Sequence, residues 1–343
     1  MLSDLKKKRI LIAFAIILLL GFILASLWLI RIPFGGSAQK GIQLLADQLQ
    51  DPDKAPTPFQ PYQYTATPTR NVQPVQNALV PNQNLLPPEG QVNILVLGSD
   101  WRPGGGFRTD VVLLVSIYTK ESKIALVSFP RDLWVEIPGL EQNRINTAMG
   151  YGGFPLVSQT LEHNFAIRID HYMMTNFNGF KNIVDSLGGV DIYASKNTAD
   201  RCDLSYQHGG WCSVGPGERT MDGEVALWYV RSRYTSNDFD RTRRAQEVLL
   251  GLFKKLMSLD GIAKAPEIYN QFISSVETDL NLNDVLSFVN IAPAILSDPS
   301  RIERYAIGPE HVTGHIIPST GANVLLPNYD AIWQVIQEAV YTP

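Results

Sequence analysis

Five arginines fall between Tyr229 and Gln246, as Tyr229-Val230-Arg231-Ser232-Arg233, a short polar loop with Asp238, and then Asp240-Arg241-Thr242-Arg243-Arg244. Guanidinium groups bind phosphate or carboxylate oxygens in pairs and stay charged at any biological pH, so such a cluster suits an anion site. The chain carries a formal net charge of -4, so general basicity does not account for it. On this stretch alone, a solvated helix face paired with Asp238, Asp240 and Glu247 accounts for it equally well. Upstream, Asp100 and Arg102 follow an apolar run, and Arg108-Thr109-Asp110 enters the next run after Pro103-Gly104-Gly105-Gly106. Two carboxylates with open coordination positions are what Mg²⁺ usually takes from a protein, water and phosphate oxygens supplying the rest. The plainer reading is a turn cap at Asp100 and a surface ion pair between Arg108 and Asp110. Arg131-Asp132 after Ser128-Phe129-Pro130, and Arg144-Ile145-Asn146 before Tyr151-Gly152-Gly153, repeat the placement of charge just beyond an apolar element. Together these fragments describe one polyanion site with one metal.

The elements that must position these residues read as an alternation. Apolar or β-branched runs at 92–97, 111–118 and 123–129 predict strands, the last two a hairpin, with Pro130 ending the third. Helices are expected at 154–165, 177–187, 222–229, 240–256, 282–296 and 330–340, with Asp222 and Asp240 as caps, and strands at 171–175, 190–193 and 302–307. This predicts an α/β domain over residues 91–343, a mixed central sheet flanked by helices.

Residues 10–30 do not belong to that domain. They form an apolar run without a charge, long enough at 1.5 Å per residue to span the roughly 30 Å hydrocarbon layer. Lys6, Lys7, Lys8 and Arg9 precede the run and only Arg31 follows closely, so residues 1–9 are expected in the cytoplasm and the rest outside. A cleaved signal peptide is the rival, though its apolar core is normally about half this length. Residues 31–90 are expected to be a tether, rich in proline from Asp51 to Glu89. The chain is thus expected to be a single-pass protein of the cell membrane. Cys202 and Cys212 share one polar loop, which suits a disulfide in an oxidising compartment better than a zinc site. Closing so short a loop contributes about 2–3 kcal/mol by the chain-entropy relation. No nucleophile elbow or Walker loop occurs, and an acidic domain without a wide basic face does not suit nucleic acid.

The ordered fragments resemble the LytR-CpsA-Psr family of bacterial cell-envelope enzymes. The resemblance rests on Asn93-Ile94-Leu95 with Leu97-Gly98-Ser99-Asp100, Arg108-Thr109-Asp110, Ser128-Phe129-Pro130-Arg131-Asp132, and Arg144-Ile145-Asn146 with Tyr151-Gly152-Gly153. It continues through Phe180, Val184-Asp185, Gly188-Gly189-Val190-Asp191, Asp222-Gly223, Ala226-Leu227, Tyr229 to Arg233, and Asp238 to Thr242. The resemblance implies a membrane-bound transferase that takes a glycosyl phosphate from a polyprenyl-pyrophosphate-linked glycan and delivers it to a peptidoglycan hydroxyl. It implies that Asp100 and Asp110 hold Mg²⁺, that Arg108, Arg131, Arg231, Arg233 and Arg241 bind the pyrophosphate and serve catalysis, and that Arg144 and Arg244 add further contacts. The acceptor needs a base, for which Asp240 and Asp238 are candidates. Where the family commonly has glutamine this chain has Ala245, so either Gln246 stands in for it or that polar contact is absent. Within the cluster Arg243 and Arg244 are the two that a solvated face would claim. Walls for the prenyl chain would come from Phe177, Phe180, Val184, Leu187, Leu249, Leu250, Phe253 and Leu256, whose helical spacing equally suits core. A polyprenyl-pyrophosphate hydrolase and a non-catalytic lipid-pyrophosphate module are the alternatives, and no helix-turn-helix supports a DNA-binding regulator.

Overall fold

The computed structural model describes residues 86–100, 108–234, 238–258 and 265–343. The chain divides into two units, 1–57 and 58–343, and every described residue belongs to the second. The expected anchor at 10–30 and nearly all of the expected tether at 31–90 lie outside the described residues. Among the described residues no helix is long and apolar enough to cross a membrane.

In chain order the elements are β1 (Gln91–Ser99), β2 (Thr109–Tyr118), β3 (Lys123–Phe129), β4 (Trp134–Glu136), β5 (Gln142–Arg144), α1 (Ala148–Phe165), β6 (His171–Thr175), α2 (Phe177–Ser186), β7 (Val190–Ala194), β8 (Thr198–Arg201), β9 (Trp211–Val214) and β10 (Gly217–Met221). They continue with α3 (Gly223–Arg231), α4 (Asp238–Leu256), α5 (Ala265–Phe272), β11 (Glu277–Thr278), α6 (Leu282–Ser287), α7 (Ala292–Ser297), β12 (Ile302–Ala306), β13 (Val312–Ile317), β14 (Ala322–Pro327) and α8 (Tyr329–Ile336). The main sheet has the order β11-β6-β1-β2-β3-β12. β2 runs antiparallel to β1 and β3, while β6 is parallel to β1 and β12 parallel to β3, so the sheet is mixed.

Strand side chains alternate between faces, and here both faces are covered. Val112 and Leu114 of β2 pack with Leu161 and Phe165 of α1 and Ile332 and Ile336 of α8. Leu113, Val115 and Ile117 point the other way, toward Leu280, Ile291 and Ile295, with Leu249 and Phe253 of α4 against them. A third cluster joins α2, β7, α3 and α4 through Val184, Val190, Tyr229 and Val248. Two glycines let these helices approach. A Cβ on Gly223 would lie 2.6 Å from the Lys181 carbonyl oxygen, and one on Gly251 would lie 2.4 Å from that of Asp191, so α3 and α4 sit backbone-close on α2 and β7.

Three elements depart from the sequence expectation. The helix expected over 282–296 is broken into α6, a 3-10 turn at Phe288–Ile291, and α7. Pro293 lies in the first turn of α7, where its missing N–H is tolerated, whereas inside one long helix it would remove a bond and clash. The helix expected at 330–340 ends at Ile336 and passes into a π-helical turn at Gln337–Tyr341. Asp240 is not a cap, because α4 begins at Asp238 and Asp240 stands within its first turn.

Candidate functional site

The sheet brings the chemistry to one edge. The antiparallel register sets the C-terminal end of β1 beside the start of β2 and the end of β3, through Ser99 opposite Thr109 and Val112 opposite Phe129. A register shift between Gly98 and Ser99 breaks the ladder there. Such an irregularity re-aims the strand end, and here it precedes Asp100. The Asp100 amide then donates to the Arg108 carbonyl at 3.1 Å, and the Arg108 amide donates to Asp100 Oδ1 at 2.9 Å. Arg131 reaches back from the end of β3 and donates from Nη1 to Asp110 Oδ2 at 2.9 Å.

Below this edge a cavity of about 650 Å³ runs between the sheet and the helices, and its wall is overwhelmingly apolar. Asp100, Asp110, Arg231, Arg233 and Arg241 also line it. Arg241 donates from Nη2 to the Asp110 carbonyl at 3.3 Å, which ties the first turn of α4 to the start of β2. The Arg231 guanidinium carbon stands 4.3 Å from the centre of the Phe177 ring, a cation–π arrangement at the end of α3. Phe177, Phe180, Leu249, Phe253 and Leu256 line the cavity, whereas Val184, Leu187 and Leu250 pack into the neighbouring clusters. Helical spacing could not separate the two groups, since both lie on inward faces.

Several expected site residues have other work. Arg244 is fully buried, donates from Nε to the Tyr229 carbonyl at 2.7 Å and from Nη2 to the Ser232 carbonyl, and cannot meet a ligand or solvent. Those carbonyls belong to the last turn of α3 and its cap, where a helix has no acceptors' partners of its own. Burial, then neighbouring Arg243, pushes the Arg244 pKa down. Arg243 is no solvated charge either, since Nη1 donates to Glu247 Oε1 at 2.6 Å and to Ser195 Oγ at 2.7 Å. Glu247, itself buried, also accepts from the Tyr229 hydroxyl at 2.7 Å. Gln246 does not stand in at position 245, because Nε2 donates to Ser128 Oγ at 2.8 Å and to the Tyr305 carbonyl at 2.7 Å, fastening α4 to β3 and β12. Ala245 is the residue on the cavity wall. Arg144 does not line the cavity; it stands 3.1 Å from Asp132 Oδ1 and donates to the Asn323 carbonyl at 2.6 Å. The Arg108 side chain is exposed and does not line the cavity, and Arg131, also outside the lining, holds Asp110 at 2.9 Å and stands 3.5 Å from Asp132. Burial acts against ionised Asp240, but Lys196 and Arg243 beside it hold its pKa below the ordinary value, which makes it a poor proton acceptor. The Asp238 side chain lies outside the described residues.

Cys202 and Cys212 are joined in a disulfide with Cα atoms 5.7 Å apart. Asp200, beside it on β8, was not among the sequence candidates. Its Oδ2 accepts from the amides of Arg233 at 2.6 Å and Tyr234 at 3.1 Å, contacts that no local motif announces.

Whether Mg²⁺ suits the site can be tested on the donors. Among the described residues Asp110 Oδ1 is buried without a hydrogen-bond partner, while the other oxygen is taken by Arg131. A buried carboxylate oxygen left unpaired is costly unless something cationic meets it. Asp100 lines the same cavity, so two carboxylates fit a hard cation that takes its remaining ligands from water and phosphate. Among the described residues no group of three or more His, Cys, Asp or Glu side chains could hold a metal by protein ligands alone.

The cavity is thus apolar over most of its wall and is lined at one part by arginines and two carboxylates. The LytR_cpsA_psr family model matches residues 62–319, and the chain belongs to that family. It is 34% identical over 200 residues to the polyisoprenyl-teichoic acid–peptidoglycan teichoic acid transferase TagU of Oceanobacillus iheyensis, covering 56% of this chain and 60% of that one. It is 32% identical over 195 residues to the regulatory protein MsrR of Staphylococcus aureus, covering 56% and 57%. The chain thus spans about three fifths of the length of the curated relatives it matches. Among solved structures, B. subtilis TagV superposes with a TM-score of 0.63 at 26% identity, over 75% of this chain and all of that one. TagT bound to LIIa-WTA superposes with a TM-score of 0.55 at 26% identity, over 74% and 91%.

Proposed function

We propose that this protein is a cell-wall glycopolymer transferase, anchored by residues 10–30 with its N-terminus in the cytoplasm and residues 91–343 outside. Its donor is a polyprenyl-pyrophosphate-linked glycan. The acceptor is a peptidoglycan hydroxyl, whose oxygen forms a bond to the glycan-side phosphorus as the bond to the bridging oxygen breaks. The hydroxyl proton leaves to a base, and polyprenyl phosphate departs with the bridging oxygen and its electron pair. The observation that carries this reading is the juxtaposition of the apolar cavity with Arg231, Arg233, Arg241, Asp100 and Asp110. The family and the printed names of its transferase members support it.

Phosphoryl transfer needs positioning and charge stabilisation more than covalent help from the protein. In this reading Arg231 and Arg233 hold pyrophosphate oxygens, and Arg241 does so while braced on the Asp110 carbonyl. Arg131 fixes the Asp110 carboxylate with one oxygen turned away from it, and Arg108 serves through its main-chain amide, which holds the Asp100 carboxylate. Asp100 and Asp110 would hold Mg²⁺, which when bound neutralises charge on the pyrophosphate. The prenyl chain lies along the apolar wall, where burial contributes about 25 cal/mol per Å².

The test incubates the purified full-length chain with Mg²⁺, a lipid-pyrophosphate glycan and peptidoglycan fragments. A covalent glycan–peptidoglycan product with release of lipid phosphate is expected. Lipid phosphate without conjugate would replace transfer by hydrolysis, and binding without turnover would leave only a lipid-pyrophosphate module. A reporter fused after Arg31 that is active only in the cytoplasm would overturn the topology.

A further inference from the structure

The segment that carries Arg233 leaves α3 at its cap Ser232. It is held from two sides. On the inner side the buried Arg244 guanidinium takes the Tyr229 and Ser232 carbonyls. On the outer side one oxygen of Asp200 takes the next two amides, from Arg233 at 2.6 Å and Tyr234 at 3.1 Å, while Oδ1 takes the Arg201 amide at 2.7 Å.

The hairpin that presents Asp200 is fastened in turn. Asp200 of β8 stands in register opposite Cys212 of β9, and Cys212 is bonded to Cys202. The Cys202 amide donates to the Gly210 carbonyl at 3.0 Å, which closes the hairpin beside the disulfide. Trp211 meets the Tyr234 ring edge-on with centroids 4.6 Å apart, and Trp228 of α3 donates from Nε1 to the Arg201 carbonyl at 3.1 Å. Helix, hairpin and loop therefore brace one another around a backbone segment whose next side chain, Arg233, lines the cavity.

We infer that Asp200, held by the disulfide-closed hairpin, is a positioning residue that fixes the Arg233 backbone so that its guanidinium meets the anionic head of the substrate. This rests on the reading of Arg233 as a phosphate-binding residue. A long side chain on an unfixed backbone must be ordered at each binding event, and a displacement of about 1 Å at a reacting centre can lower a rate on the order of 100-fold.

The experiment compares Asp200→Ala, Asp200→Asn, Arg233→Ala and the Asp200→Ala/Arg233→Ala double variant in the full-length chain. Amide hydrogen exchange at Arg233 and Tyr234 reads the clamp, and lipid-pyrophosphate turnover reads its consequence. Asp200→Ala is expected to speed exchange at both amides at least ~10-fold and to lower turnover ~10- to 100-fold. Asp200→Asn keeps one acceptor oxygen and is expected to recover part of both, and it carries the same comparison if the alanine variant does not fold. In the Arg233→Ala background the Asp200 change should lower turnover no further. Unchanged exchange would show that no clamp exists, and altered exchange with full turnover would remove its catalytic consequence. Multiplicative losses in the double variant would place the effect of Asp200 elsewhere. If the unmodified chain turns over no lipid pyrophosphate, the transferase reading fails, while the exchange arm still decides whether Asp200 clamps the segment.

Discussion

Arg241 and Arg244 stand one turn apart on α4, and they do opposite things. Arg241 braces on the Asp110 carbonyl and lines the cavity, while Arg244 is sealed under the end of α3 with its donors on the Tyr229 and Ser232 carbonyls. The difference lies in their neighbours. A helix that ends inside the protein leaves carbonyls that must find donors, and guanidinium is the side chain with enough of them. An arginine cluster is thus divided by the backbone around it, part serving the cavity and part holding up the helix that presents the rest.

The largest effect expected is the separation of these two roles. Arg244→Ala strands two buried carbonyls and empties a large buried volume, so it should destabilise by about 3–5 kcal/mol and lower Tm by roughly 10 °C. Arg231→Ala acts at an exposed side chain, whose cation–π contact with Phe177 is worth about 1 kcal/mol, and should cost far less stability than Arg244→Ala. Its turnover should nonetheless fall on the order of 100- to 1,000-fold, as when a preorganised charge stabiliser is removed. Thermal denaturation and turnover measured on both variants check this, and equal Tm losses would erase the distinction.

The second expectation concerns Gln246, which divides α4 again. Gln246→Ala should cost about 1–3 kcal/mol by leaving Ser128 Oγ and the Tyr305 carbonyl short of a donor. Turnover per folded molecule should fall far less than in Arg241→Ala. A turnover loss in Gln246→Ala matching that of Arg241→Ala would return Gln246 to the site.

These variants also mark what the sequence could show. The strands β1 to β3 and β6 and the helix ends at Asp222 and Leu256 follow from apolar periodicity and capping, whereas charge just past each run left a solvated face equally open, and it is the family resemblance that singles out Asp100, Asp110, Arg231, Arg233 and Arg241. Burial of Arg244 does not, because nothing local says that the carbonyls of α3 will lie above it. Pairing of Gln246 with β3 and β12 is equally silent, being set by partners 118 and 59 residues away. Asp200 became visible only when β8 and β9 closed against the loop after α3. The β13–β14 hairpin, a ribbon whose β13 side chains are largely exposed, carries only the short apolar run Val324-Leu325-Leu326, too brief to announce a strand pair.

The smallest effect sharpens the same contrast with two glutamates. Glu247 has a partner for each oxygen, in Arg243, Ser195 and the Tyr229 hydroxyl. Glu277 has the Tyr172 hydroxyl at 3.1 Å from Oε1, but among the described residues its buried Oε2 has no partner. Burial raises the Glu277 pKa above its ordinary value of 4.5, and the Tyr172 bond only partly opposes this. A raised carboxyl pKa means that the folded chain binds the proton more tightly than the unfolded one. Stability therefore falls as pH rises from the unfolded pKa to the folded one, and stays reduced above it. Glu277→Gln removes that penalty while keeping an acceptor for Tyr172, so Tm should rise by ~1–3 °C near pH 7, a modest figure because the carboxyl is only half-buried. The gain should vanish below the ordinary carboxyl range, where both forms are neutral. The same substitution at Glu247 should lower Tm at neutral pH, because there the charge is what Arg243 holds.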